Sequence, residues 1–213
     1  MNKLITLSMS LTLMALSACT PQQNSGDAGT KCPASDKNQV VETIMARRSI
    51  RKYKPQAVEK DKMDQIIKCG INAPNGRHLE SWEVRIINTP EVMKELEEGY
   101  NTYLKNNART VGKHPSYGAP TLILIAYNKE YDLSQVDCGL LGANMILTAQ
   151  SLQLGTCCLG GVARYLSSPE GAPVMKRLNL PETHQLLYAI ALGYPDEEPA
   201  AKSRNIGKVQ FVK

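Results

Sequence analysis

Arg47-Arg48-Ser49-Ile50-Arg51 is the stretch on which the reading of this chain turns. It packs three guanidinium groups and a hydroxyl donor into five residues. Guanidinium forks match phosphate oxygens in a bidentate fashion, so the cluster suits a phosphorylated ligand. Alone, a basic run of this kind is ordinarily a solvated surface. Its flanks and the far end of the chain give it more meaning. Upstream, Asp36 with Gln39 resembles a capping box, and Val40, Val41, Ile44 and Met45 recur at helical spacing. The spacing predicts a helix that ends near Arg47. Near the C-terminus, Gly193-Tyr194-Pro195 and an acidic loop lead to Lys202-Ser203-Arg204, a second cationic arm for the same phosphate.

Between these arms the pattern alternates helices and strands. Met63, Ile66, Ile67 and Gly70 form the stripe of a helix from Lys60 to Asn72, which Pro74 ends. Ala73-Pro74-Asn75-Gly76-Arg77-His78-Leu79-Glu80-Ser81-Trp82 is a turn leading into a strand, Trp82 to Ile87. Pro and Gly set its shape, and Asn75, His78 and Glu80 offer donors and acceptors to a planar heterocycle. Thr89 and Pro90 open a helix reaching Leu104, followed by a polar loop from Asn106 to Gly118. The unbroken apolar run Pro120 to Tyr127 reads as a central strand buried on both faces. In the long helix from Ser134 to Leu154, Gly139, Gly142 and Ala143 leave room for another backbone, as in a tight helix pair across a dimer. Gly155 ends that helix, and Thr156 to Val162 is a short strand or Gly-rich loop. Pro169 to Leu178 is a minor helix and Leu186 to Leu192 an apolar strand. Val209, Phe211 and Val212 are spaced as a terminal edge strand.

At 213 residues, 42% hydrophobic and 21% charged, the chain buries one good core. Residues 1–18 read as a signal peptide: Lys3 precedes an apolar stretch, Leu4 to Leu16, closed by Ser17 and Ala18. That stretch falls short of the roughly 20 apolar residues that cross a bilayer. Leu16-Ser17-Ala18-Cys19 resembles the lipobox of bacterial lipoproteins, which implies diacylglycerol on Cys19 and an acyl chain such as palmitate on the new amine. Residues 19–37 are polar and form a tether, so residues 38–213 are the folded domain. The implied location is the cell envelope, lipid-anchored to a bacterial membrane on its non-cytoplasmic side. The leader lacks twin arginines, so export is of the unfolded chain. The net charge of +5, or +4 once Lys3 is lost with the leader, is too weak to argue for nucleic acid. Of six cysteines, Cys157 and Cys158 are adjacent and fit no zinc spacing.

The four segments, in order and at these spacings, resemble the nitroreductase family over about residues 38–213. The family opens with an Arg-Arg-Ser-x-Arg-like motif and continues with an Ala-Pro-Ser-x-x-Asn-x-Gln-Pro-Trp turn. It closes with Gly-Tyr-Pro and Lys-x-Arg. The resemblance implies an α+β fold with a mixed, mostly antiparallel central sheet flanked by helices, in an intertwined homodimer with a C-terminal edge strand. It also implies FMN, with Arg47, Arg48, Ser49, Arg51, Lys202 and Arg204 on its phosphate, ribityl chain and ring edge. Pro74, Asn75, Gly76 and His78 would line the flavin from the partner subunit, and Leu159-Gly160-Gly161 looks like the loop beside the ring. The cofactor does the chemistry, so no side chain is named catalytic. This chain departs from the family at His78, at Glu80-Ser81 and at Gly160, where many members have Glu. Glu80 near the ring would disfavour anionic reduced flavin, and a protonated His78 would favour it.

The activity implied is reduction of a small acceptor, such as a nitro compound or quinone, by ping-pong transfer through FMN. NAD(P)H is the usual donor, and a membrane quinol is the alternative suited to an exported protein. Rival readings are a lipoprotein that binds or delivers FMN without turnover and a solute-binding lipoprotein with no flavin.

Overall fold

The computed structural model describes residues 38–111 and 114–212. The chain runs α1 (Gln39–Ala46), α2 (Lys60–Ile71), β1 (Trp82–Ile87), α3 (Pro90–Asn106), β2 (Thr121–Asn128), α4 (Ser134–Ser151), β3 (Gly155–Leu159), α5 (Gly160–Leu166), α6 (Ala172–Leu178) and β4 (His184–Gly193). Antiparallel ladders join the strands in the order β1-β2-β4-β3. β2 is buried from Thr121 to Ala126, as its unbroken apolar run requires. Successive side chains point to opposite faces of a strand, so β2 feeds two cores. Leu122, Leu124 and Ala126 meet Leu96 of α3, Tyr165 of α5 and Val174 of α6. Ile123 and Ile125 meet Met63 and Ile66 of α2 and Leu141 and Met145 of α4. The result is the anticipated α+β sheet flanked by helices. Its parallel component is confined to one isolated bridge between Ser49 and Thr156.

The structure corrects three local expectations. Asn38 caps α1, its side chain accepting from Val40 N at 3.0 Å and Val41 N at 3.2 Å; Asp36 lies outside the described residues. The stripe of α1 is not buried within the chain, for Val40 is 66% and Met45 70% exposed. Residues 156–162 divide between β3 and the start of α5, so Gly160-Gly161 begins a helix rather than a loop. Two glycines cost a helix about 2 kcal/mol relative to alanine, but burial of Val162, Ala163, Tyr165 and Leu166 overrides that penalty. Finally, Val209, Phe211 and Val212 form no strand, and the last two are 92% and 100% exposed. One of the two sheet edges, β3, is already occupied by Ser49 and Ile50, whose amide donates to Thr156 O at 2.9 Å. The signal peptide, Cys19 and the tether lie outside the described residues.

Candidate functional site

The Arg47 segment and the C-terminal arm are drawn together by backbone pairing. Where α1 stops, the Arg48 guanidinium donates to Met45 O at 2.7 Å and Arg47 O at 2.9 Å, satisfying carbonyls the helix leaves open. The chain then runs extended beside β3. Lys54 N donates to Tyr194 O at 2.9 Å, Asp196 N to Lys52 O at 3.0 Å, and Tyr53 bridges Pro195. Tyr194 is anchored in turn to the start of α2: its hydroxyl donates to Glu59 at 2.6 Å and accepts from Lys62 Nζ at 2.5 Å. That hydroxyl holds the Glu59 carboxyl below its ordinary value and raises the Lys62 ammonium. Tyr53 donates to Ile50 O at 2.8 Å, and burial pushes its phenol far above the usual range.

This pairing closes a cavity of about 410 Å³ that brings together Arg47, Arg48, Ser49, Arg51, Lys202 and Arg204. Ile44, Met45 and Leu147 supply its apolar wall. None of the five cations forms an ion pair with a described carboxylate. Glu197 accepts from the Arg51 backbone amide instead of its guanidinium. The positive field reaches β3: burial pushes the Cys157 thiol up, while Arg51 and Arg47 pull it down. Uncompensated guanidinium and ammonium groups around a concave site fit a phosphate. A cavity of about 430 Å³ lies between Val58, Met93 and His114. There His114 faces the carboxylate of Glu97, which lines the same cavity, at 3.1 Å, and Lys94 pairs with Glu98 at 3.9 Å, so it offers no comparable anion site. Among the described residues, no group of three or more His, Cys, Asp or Glu is placed to hold a metal.

Pro74, Asn75, Gly76 and His78 are not part of the cationic cavity. They form a tight turn in which Arg77, His78 and Glu80 take positive φ of 53°, 55° and 45°. Asp137 of α4 holds it, accepting from Gly76 N at 3.0 Å and from the Ser81 hydroxyl at 3.0 Å. Asp137 is only 3% exposed, and it was not singled out from the sequence. The available signal was an acid in the first turn of an otherwise largely apolar helix. Gly76 has no room for a side chain, since a Cβ would lie 2.0 Å from the Tyr131 hydroxyl. That hydroxyl is buried without a hydrogen-bond partner among the described residues. Leu147 lines the cavity from the same helix, ten residues and about 15 Å along its axis from Asp137.

Leu159, Gly160 and Gly161 also lie outside the cavity lining. Leu159 is three residues along β3 from Thr156, where Ser49 bridges, or about 10 Å. Gly160 and Gly161 present bare backbone there. Of the helix-pair glycines, Gly139 faces open space, whereas Gly142 is filled by Tyr188, whose hydroxyl donates to Cys138 O at 2.9 Å.

An antiparallel sheet between helical layers, with residues 47–51 and 202–204 meeting at a cationic cavity, defines the class: an α+β protein with a site suited to an anion. A family model described as the nitroreductase family matches residues 44–194, and the chain belongs to that family. It is similar to an NADPH-flavin oxidoreductase of Vibrio harveyi, 28% identical over 173 residues, covering 78% of this chain and 70% of that one. A nitroreductase with bound FMN from Bacteroides fragilis superposes with a TM-score of 0.74 at 27% identity, over 83% of this chain and 100% of the other. A second, from Desulfitobacterium hafniense, also with bound FMN, gives 0.75 at 25% identity over the same shares.

Proposed function

We propose that this chain binds FMN through the cationic cavity and acts as an FMN-dependent oxidoreductase that reduces a small acceptor such as a nitro compound or quinone. One observation carries the reading. Cations from residues 47–51 and 202–204 line one cavity, and no described carboxylate neutralises them. Arg47, Arg51, Lys202 and Arg204 hold the phosphate, Ser49 donates from its hydroxyl, and Ile44 and Leu147 exclude water. Gly160 and Gly161 carry no side chain of their own where the ring would lie, so a backbone N–H can approach it there. Bound FMN supplies the two-electron chemistry. NAD(P)H is the donor adopted, in line with the names of the relatives, and donor and acceptor use one ring-side pocket in turn.

The test is the absorption spectrum of the purified protein with its flavin stoichiometry, followed by anaerobic bleaching with NADPH. Each charge-assisted hydrogen bond contributes about 1.5–3 kcal/mol. Arg47→Ala or Arg204→Ala should therefore weaken FMN binding roughly 10- to 100-fold. Mutant protein that stays fully yellow after dialysis would remove those residues from the site. Wild-type protein that carries flavin yet is not bleached, even with nitroaromatic or quinone present, would favour a flavin-carrying lipoprotein without turnover.

The proposal extends to assembly and location. Asp137 and Leu147 lie at separate stations on α4, with the open face of Gly139 and the exposed Leu140 between them and the exposed Val136 just before Asp137. Two copies crossing there about a two-fold axis bring the 74–78 turn of one to the cavity of the other, so the working unit is a homodimer. The lipobox motif supports a lipid anchor at Cys19 in the cell envelope. Cys19→Ser protein should leave the membrane fraction, and unchanged processing and fractionation would refute the anchor.

A further inference from the structure

A wall of aromatic and cationic side chains overlooks Gly160 and Gly161, and phosphate binding leaves it unused. Side chains on a helix lean toward its N-terminus and cover the preceding turn. Arg164 accordingly folds back over Gly160, where a Cβ would meet Arg164 Nη1 at 3.7 Å. Tyr100 reaches Gly161 from α3, its hydroxyl 3.4 Å from the corresponding position. That ring is held edge-on to Tyr165, centroids 5.5 Å apart at 80°. Burial raises the Tyr100 phenol and Tyr117 adds to the rise, whereas Arg109 and Arg164 draw it down. Tyr117, at φ 58°, stands with its ring 6.0 Å from the Arg51 guanidinium of the phosphate cavity.

Arg109 and Arg164 are exposed, and neither side chain is hydrogen-bonded or ion-paired to a described residue. A single free surface arginine is unremarkable. Arg164 is set apart by its place over glycine backbone beside the Tyr100 hydroxyl, which together form a receptor for a planar anion. We propose that Arg164 determines specificity in the ring-side pocket by binding a carboxylate or phosphate carried by the substrate, with Tyr100 against its planar body. The inference rests on the FMN reading. Two molecules bring such an anion: an acidic aromatic acceptor, or a nicotinamide donor bearing the additional phosphate.

Calorimetric titration of the flavin-loaded full chain separates these sources, using 4-nitrobenzoate against neutral 4-nitrobenzamide and NADP⁺ against NAD⁺. One charge-assisted contact predicts a preference of roughly tenfold for the charged member of a pair. Arg164→Gln should abolish that preference and Arg164→Lys restore part of it, with flavin content unchanged. Loss in the benzoate pair assigns the anion to the acceptor, and loss in the nucleotide pair assigns it to the donor. Equal binding within both pairs by wild type, or a preference that survives in Arg164→Gln protein, overturns the proposal. Flavin absorbance of wild type, measured first, tests the underlying FMN reading independently.

Discussion

Replacing Asp137 by alanine strands two donors at once, the Gly76 amide and the Ser81 hydroxyl. A buried donor left without a partner costs about 1–3 kcal/mol. Asp137→Ala should therefore lower stability by roughly 2–5 kcal/mol, with Asp137→Asn between it and wild type because one acceptor remains. Thermal melts followed by circular dichroism check this, and a loss below about 1 kcal/mol would mean that the turn holds itself. The contrast with the cationic residues shows what is legible at this scale. Arg47, Arg48 and Arg51 declare themselves because fixed charge crowded into one short run is visible before folding. Asp137 does not, because its role is defined by Gly76, 61 residues earlier in the chain. Nothing local distinguishes it from a solvated helix acid. Arg164 is hidden for a related reason: its position over Gly160 exists only once α5 has formed.

Whole elements were legible where a pattern ran long enough to average out local preference. β2, β4, α2, α3 and α4 each present many residues in register with one period, so a single unfavourable residue cannot mask them. α5 is only seven residues and begins with two glycines, so intrinsic propensity points away from helix. Burial against β4 and the helices around it decides the matter, and burial is not a local property. The 209–212 segment fails in the opposite direction. Its alternating apolar residues read as an edge strand, but within one copy they pair with neither edge of the sheet. Ser49 and Ile50 cover β3. α1 poses the same problem in helical form, since Val40, Val41, Ile44 and Met45 keep the periodicity of a buried face while standing exposed in the single chain. Both the tail and α1 carry apolar patterns that one copy does not satisfy.

At the scale of the whole molecule, the proposed homodimer accounts for the divided site. The turn held by Asp137 and the cavity lined by Leu147 occupy different stretches of α4, and a straight helix cannot fold one onto the other. In the proposed homodimer, a second copy running antiparallel along the open face of α4 would bring the turn of one to the cavity of the other, and would cover Val136, 56% exposed, and Leu140, 40% exposed. Burying a leucine side chain contributes about 1.5–3 kcal/mol, and each copy supplies its own, so an acid at this position acts twice in one interface. Leu140→Asp should shift the protein from dimer to monomer in sedimentation analysis. The monomer should keep its sheet, because Leu140 touches neither core, yet lose flavin with the dimer, because only half of each site remains. Folded Leu140→Asp monomer that retains stoichiometric FMN would show that one copy suffices and that the 74–78 turn has no part in binding.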